Sequence, residues 1–208
     1  MIQVQSVDVA MSGTFATKDV VLPALKNRML LAVGNGDGST NISGVSATFN
    51  SVTMERIYLE YDSHGSYANA WVWYLAVPDS WTGTKTFAYS SGSFNSTMMI
   101  VTGAKALDLI ADDDTLVSAN LTTVERPITA ISGGLVVVSV GLWENNSGTL
   151  SSTNLSTVKS VTNGYFGYMK GVTPIVTPNI VSSPGNGRGV YLAVSFKPKP
   201  NRGSVVII

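Results

Sequence analysis

The sequence predicts an all-β protein, an antiparallel two-sheet β-sandwich of jelly-roll type with little helix. Three observations carry this expectation. Short apolar runs, alternating or continuous and rich in β-branched residues, recur from one end of the 208 residues to the other. Clusters of Gly, Asn, Ser and Pro bound them. No long run follows the 3.6-residue period of an amphipathic helix. About eleven such strands in one open sheet would leave long apolar edges, which two facing sheets bury.

In chain order, strands are expected near Gln3–Ala10, Arg28–Val33, Gly44–Asn50, Met54–Tyr61, Ala70–Val77 and Lys85–Ser90. Further strands are expected near Thr97–Gly103, Leu135–Leu142, Val158–Thr162, Tyr165–Gly171 and Gly189–Phe196. The run Trp71-Val72-Trp73-Tyr74-Leu75-Ala76-Val77 suits a pleated, buried surface, and Pro78 stops its ladder. Gly34–Gly38 and Asp62–Ser66 read as turns, and one helical turn is expected within Leu107–Leu116, where Asp112-Asp113-Asp114 interrupts the apolar pattern. No repeat and no linker is visible, so residues 1–196 read as one sandwich domain. Residues 197–208 read as an arm: Lys197-Pro198-Lys199-Pro200 is polyproline-like, and Val205, Val206, Ile207 and Ile208 form a short apolar strand that either folds back as an edge strand of its own sandwich or adds to a neighbouring subunit's sheet.

Composition narrows the function classes. Charged residues are 12% of the chain, against roughly a quarter in an ordinary domain, and 13 basic residues balance 13 acidic ones. Without a Lys/Arg cluster, nucleic-acid binding lacks its main electrostatic term. Near-zero net charge on a hydroxyl- and amide-rich surface favours association with neighbours. No cysteine is present, so disulfides, thiolate metal sites and a Cys nucleophile are out. The start carries no basic region followed by an apolar one, and no apolar run approaches the ~20 residues of a membrane helix. No membrane role is expected.

The chain offers little to build a reaction on. A Ser-His-acid triad would need His64, the single histidine, beside Asp62 and Ser63 in one loop, and adjacent residues seldom make a triad. The carboxylates a glycosidase would use are Glu55, Glu60, Glu125 and Glu144, but Glu55 and Glu60 have opposite parity on one strand and so face opposite sides of a sheet. No cofactor is expected. Calcium is the one metal whose oxygen ligands the chain owns, at Asp112, Asp113 and Asp114, with Asp37 a weaker candidate, and neither follows an EF-hand spacing. Gly34–Gly38 follows a strand without a helix N-terminus to receive phosphate, so it is not a nucleotide cradle. Trp71 and Trp73 share one strand face, opposite to Val72 and Tyr74. They are core residues or, if that face is open, a glycan-stacking pair. Five Asn-x-Ser/Thr sequons, at Asn41, Asn95, Asn120, Asn145 and Asn154, fall within chance for this composition.

From Arg28 to about Ala104 a pattern emerges: Met29-Leu30-Leu31-Ala32-Val33, Val45-Ser46-Ala47-Thr48-Phe49-Asn50, Ile57-Tyr58-Leu59-Glu60-Tyr61, Trp73-Tyr74-Leu75-Ala76-Val77-Pro78, Gly83-Thr84-Lys85-Thr86 and Met98-Met99-Ile100-Val101-Thr102-Gly103. This pattern resembles a β-sandwich module of tailed-bacteriophage virion proteins and bacterial surface proteins. Gly134–Val138 and Tyr191–Phe196 look like the module's closing strands. The resemblance implies a sandwich that binds or packs, and it brings no catalytic residues. With the composition, the expectation is a non-enzymatic virion structural protein of a tailed phage, a capsid decoration or cement subunit or a tail or fibre component. Its partners would be copies of itself, the major capsid protein and other virion proteins, with host-surface glycans as further targets. A carbohydrate-binding β-sandwich module is the alternative.

Overall fold

The computed structural model describes residues 3–8, 17–38, 44–63, 66–90, 95–102, 104–121, 123–130, 132–142, 149–161, 164–170, 175–183 and 187–198. Among these residues every regular element is a strand, and every strand pairing is antiparallel. The first half runs β1 (Gln3–Asp8), β2 (Thr17–Leu22), β3 (Arg28–Gly38), β4 (Ala47–Phe49), β5 (Val52–Thr53), β6 (Glu55–Ser63), β7 (Ser66–Val77), β8 (Gly83–Tyr89) and β9 (Asn95–Thr102). The second runs β10 (Ala104–Leu121), β11 (Thr123–Glu125), β12 (Ile128–Thr129), β13 (Leu135–Leu142), β14 (Thr149–Ser151), β15 (Ser156–Val161), β16 (Gly164–Lys170), β17 (Ile175–Val176), β18 (Asn179–Ser183) and β19 (Gly187–Pro198).

In the first half, a sheet of order β1-β9-β3-β7-β6 faces one of order β2-β8-β4-β5. Apart from the extra edge strand β6, this is jelly-roll order, in which the first and last strands lie side by side and alternate strands go to alternate sheets. The second half repeats it: β10-β19-β13-β16-β15 corresponds strand for strand to the first large sheet, and β11-β18-β14 to the smaller one, with the pair β12-β17 added. Register repeats as well. Leu31 lies opposite Tyr74, and Val137 opposite Tyr168; Met29 lies opposite Val101, and Leu135 opposite Phe196; Val33 lies opposite Val72, and Ser139 opposite Phe166. The sequence shows no repeat because the two halves share inside-outside alternation at matched positions and little residue identity. The stretch read as one sandwich is a stack of two.

Three apolar cores separate four layers. The first, between the smaller and larger sheets of the first half, holds Leu30, Ala32, Trp71, Trp73 and Ile100 against Val20, Leu22, Phe49, Phe87 and Tyr89. The second lies between the two large sheets and joins the halves: Met29, Leu31, Val33, Val72 and Val101 meet Leu135, Val137, Phe166, Leu192, Val194 and Phe196. The third holds Val136, Val138, Val140, Tyr165 and Tyr191 against Leu150, Ile128, Val176 and Ile180. Strands β3 and β13 are buried on both faces, which is why they read as continuous apolar runs. Each such side chain taken from water stabilises by about 1.5–3 kcal/mol.

The halves meet most closely at the end where β3 and β13 finish. A Cβ on Gly141 would collide with the Asn69 carbonyl oxygen, and one on Gly164 with the Asn35 side-chain amide. Asn35 and Asn69 are buried, 1% and 0% exposed, so the first half supplies the bulk that the glycines of the second receive. Beside them the Ser139 hydroxyl donates to the Gly34 carbonyl across the interface at 2.7 Å.

Several expectations need correction. Gly34–Gly38 is no turn: it continues β3, paired with Tyr67–Trp71 of β7. Gly34 is needed for close approach, because a Cβ there would sit 2.5 Å from the Trp71 indole that lies across it. Leu107–Leu116 holds no helical turn; it lies within β10, whose pairing with β19 is interrupted by three register shifts. Lys197 and Pro198 end β19 and do not begin an arm. Short strands β2, β5, β11, β12, β14, β17 and β18 lie outside the expected set, since at two to six residues they carry too few apolar positions to show a period.

Replacing Gly141 with Ala forces a methyl against backbone and should cost about 1–3 kcal/mol, as overpacking does. Urea denaturation should show a lower midpoint; an unchanged midpoint would mean that the halves are not held at this contact.

Candidate functional site

The glycan-stacking candidates are interior. Trp71 and Trp73 are 0% and 1% exposed. Their shared face, predicted by alternation, points into the first core, while Val72 and half-buried Tyr74 point into the second. The rings build an aromatic ladder: Trp71 to Trp73 at 5.3 Å, Trp73 to Tyr89 at 4.9 Å and Tyr89 to Phe87 at 4.8 Å between centroids, all tilted or edge-on as ring quadrupoles prefer. The Arg56 guanidinium caps it, 6.0 Å above Trp73, and is fixed by donation to the Val45 carbonyl at 3.0 Å. Neither Trp has a face open to a sugar.

Arg28 is the most deeply buried charge among the described residues, 2% exposed at the start of β3. Its guanidinium donates to the carbonyls of Pro23 at 2.8 Å, Pro78 at 2.9 Å and Asp79 at 3.4 Å. Asn27, with φ of 54°, donates its backbone N–H to the Asp79 carboxylate at 2.8 Å. One planar fork thus ties the β2–β3 connection to the β7–β8 turn, a structural task that a point charge on Lys would do poorly.

The carboxylates whose side chains are described are dispersed. Glu55 accepts from the Tyr74 hydroxyl at 2.6 Å, and Glu125 accepts from the Asn179 amide at 2.6 Å. Asp19 accepts from the Thr86 hydroxyl at 2.8 Å. Burial, the bond to Glu55 and the Glu55 charge together push the Tyr74 phenol up to about 12. Burial also raises Tyr165, opposed by its bond with the Thr157 hydroxyl at 3.0 Å. Asp112, Asp113 and Asp114 lie in β10 opposite Val194, Ala193 and Leu192, in a strand where the sequence suggested a turn. Among the described residues no three His, Cys, Asp or Glu side chains gather as a metal site would need. His64, Glu144 and Val205–Ile208 lie outside the described residues. The sequon residue Asn154 is exposed, and its amide is engaged: it donates to the Thr177 carbonyl at 2.8 Å and accepts from the Asn179 N–H at 3.0 Å.

What the fold offers to other molecules is therefore outer surface. On the four-stranded outer sheet, Thr17, Asp19 and Val21 of β2 alternate with buried Val20 and Leu22, and Thr84 and Thr86 of β8 alternate with buried Phe87 and Tyr89. Thr48 and Thr53 continue that face across β4 and β5. Exposed Thr123, Glu125, Thr149 and Ser151 give the outer sheet of the second half the same hydroxyl and carboxylate character. Large apolar side chains are exposed singly, Val21 at 66%, Ile175 at 61%, Leu25 at 47% and Val52 at 42%. Sequence reasoning missed this face, although the alternation Thr84-Lys85-Thr86-Phe87 records it.

Two consequences can be measured. Trp71→Ala empties the ladder and should cost about 3–5 kcal/mol, read as a lower denaturation midpoint; a variant of unchanged stability with altered sugar binding would contradict the interior placement. Tyr74 remains protonated in the folded state at a pH where the unfolded phenol, at its ordinary 10.0, ionises. Its contribution is complete below pH 10 and is lost as pH rises from there toward about 12. The stability advantage of the natural chain over Tyr74→Phe should therefore shrink across that window; a constant difference would count against the raised phenol, and so against the burial and the Glu55 contact that raise it. Compared with known protein families, curated proteins and solved structures, the chain matches none.

Proposed function

We propose that this protein is a non-enzymatic virion structural subunit of a tailed bacteriophage, a capsid decoration or cement protein that packs against the major capsid protein and against copies of itself. A tail or fibre position is the nearest variant. The observation that carries the reading is the fold's distribution of its chemistry: aromatic and aliphatic residues fill three stacked cores, and the outer sheets present hydroxyls with single exposed apolar side chains. Such a double sandwich offers broad outer faces on a chain of near-zero net charge, suited to docking by shape, where charge repulsion is small. The resemblance of the Arg28–Ala104 pattern to a module of tailed-phage virion proteins and bacterial surface proteins supports a place on a particle. The carbohydrate-binding alternative relied on open Trp71 and Trp73 rings, and their burial removes its support.

Antibody labelling of particles purified from a culture that produces the chain tests the reading. Regular labelling of heads is expected, with the chain co-sedimenting with particles. A chain found only in the soluble fraction would overturn the proposal, and labelling confined to tails would select the fibre variant.

A further inference from the structure

We infer that the two outer sheets are equivalent docking faces, and that one copy of this chain bridges two identical partner subunits, each presenting a basic side chain to an acidic spot on one face. The inference rests on the structural role proposed above and names the surfaces and the chemistry that serve it. The halves are arranged about a two-fold axis. Equivalent faces meet in the second core, Met29 and Leu31 of β3 and their counterparts Leu135 and Val137 of β13. Strand order is reversed across that core, with β6 and β7 over β19, β3 over β16 and β9 over β15. β3 and β13 nevertheless run the same way, since Asn35 near the end of one lies against Gly141 near the end of the other. Equivalent faces, reversed order and common direction together define an axis parallel to the strands between β3 and β13, as in an isologous dimer.

The axis carries one feature of the first outer face onto the second. Register matches Leu31 with Val137. At the same separation along the chain Asn27 matches Gly133, both left-handed with φ of 54° and 76°, and Leu22 matches Ile128, both buried. Thr17 then matches Thr123 and Asp19 matches Glu125, all four exposed, while Val20 and Val124 between or beside them turn to the cores. Each carboxylate is oriented by the residue directly across from it on the next strand: Asp19 accepts from the Thr86 hydroxyl at 2.8 Å, and Glu125 accepts from the Asn179 amide at 2.6 Å. Burial explains why matched core positions agree, but it places no demand on an outward residue, so agreement there marks a shared contact. The two spots look away from each other across four layers, about 30 Å or three sheet spacings apart, which suits two separate subunits. A carboxylate beside a threonine hydroxyl takes a guanidinium or ammonium group through charge-assisted hydrogen bonds. Because the axis relates the spots, a subunit that fits one fits the other.

Co-sedimentation with particles assembled without the chain tests the inference, using the natural chain, Asp19→Lys, Glu125→Lys and the double variant. The natural chain is expected to bind. Each single variant, left with one of two linked contacts, should bind about 100-fold more weakly and to a similar extent, and the double variant should not bind. Denaturation midpoints should not move, since both positions are exposed; where one does, Asp19→Asn or Glu125→Gln, which keep the shape and remove the charge, take its place. A loss confined to one of the two positions, or binding that neither substitution changes, overturns the inference while binding of the natural chain still stands for the structural role. A natural chain that does not bind overturns both.

Discussion

The face-to-face packing of two five-stranded sheets is the constraint on which the rest of the molecule depends. Each large sheet is apolar on both faces, so neither half could stand with its inner face in water: Met29, Leu31 and Val72 on one side and Leu135, Val137 and Phe166 on the other are buried only because they cover each other. Burial on both faces in turn demands an outer sheet for each half, and the jelly-roll order supplies one from the same chain segment. Four layers follow from the need to cover two double-sided sheets.

Apolar contact alone does not fix how two such sheets are seated, because hydrophobic attraction is non-directional. The polar and small residues at one end of the interface do. Asn35 and Asn69 fill the space that Gly141 and Gly164 leave, and the Ser139 hydroxyl reaches the Gly34 carbonyl. At the matched positions Asn35 and Gly141 the halves differ, asparagine in one and glycine in the other, and the bulk on the first half seats in the space the glycines of the second leave. At the other end, Arg28 holds two connections by their carbonyls, so the strands it joins arrive at the interface in fixed register.

The same economy explains why the chemistry expected of an active site is dispersed. Aromatic residues that could have recognised a sugar are used as core, and each described carboxylate bonded to a side chain takes a neighbour on an adjacent strand. The outer sheets keep hydroxyls that hydrogen-bond without adding net charge. Such a surface discriminates partners by shape and by the pattern of small polar groups, and strand edges become its most directional features.

Alternation in the sequence determined the fold class, the shared face of Trp71 and Trp73, and the separation of Val72 and Tyr74 from them, because the period of a strand assigns every side chain to a face without reference to any neighbour. The central strands β3, β7, β13 and β19 were legible for the same reason, being long and apolar on both sides. Only the tertiary structure decided that there are two jelly rolls, that Gly34–Gly38 is a strand with Gly34 under an indole, that Asp112–Asp114 belongs to a strand and that the Trp pair is closed to solvent. Each of these depends on what lies across from a residue. A run of glycines reads as a turn until a Trp71 is laid over it, and a face reads as open or buried alike until a second sheet covers it, since local sequence encodes direction and the partner encodes environment.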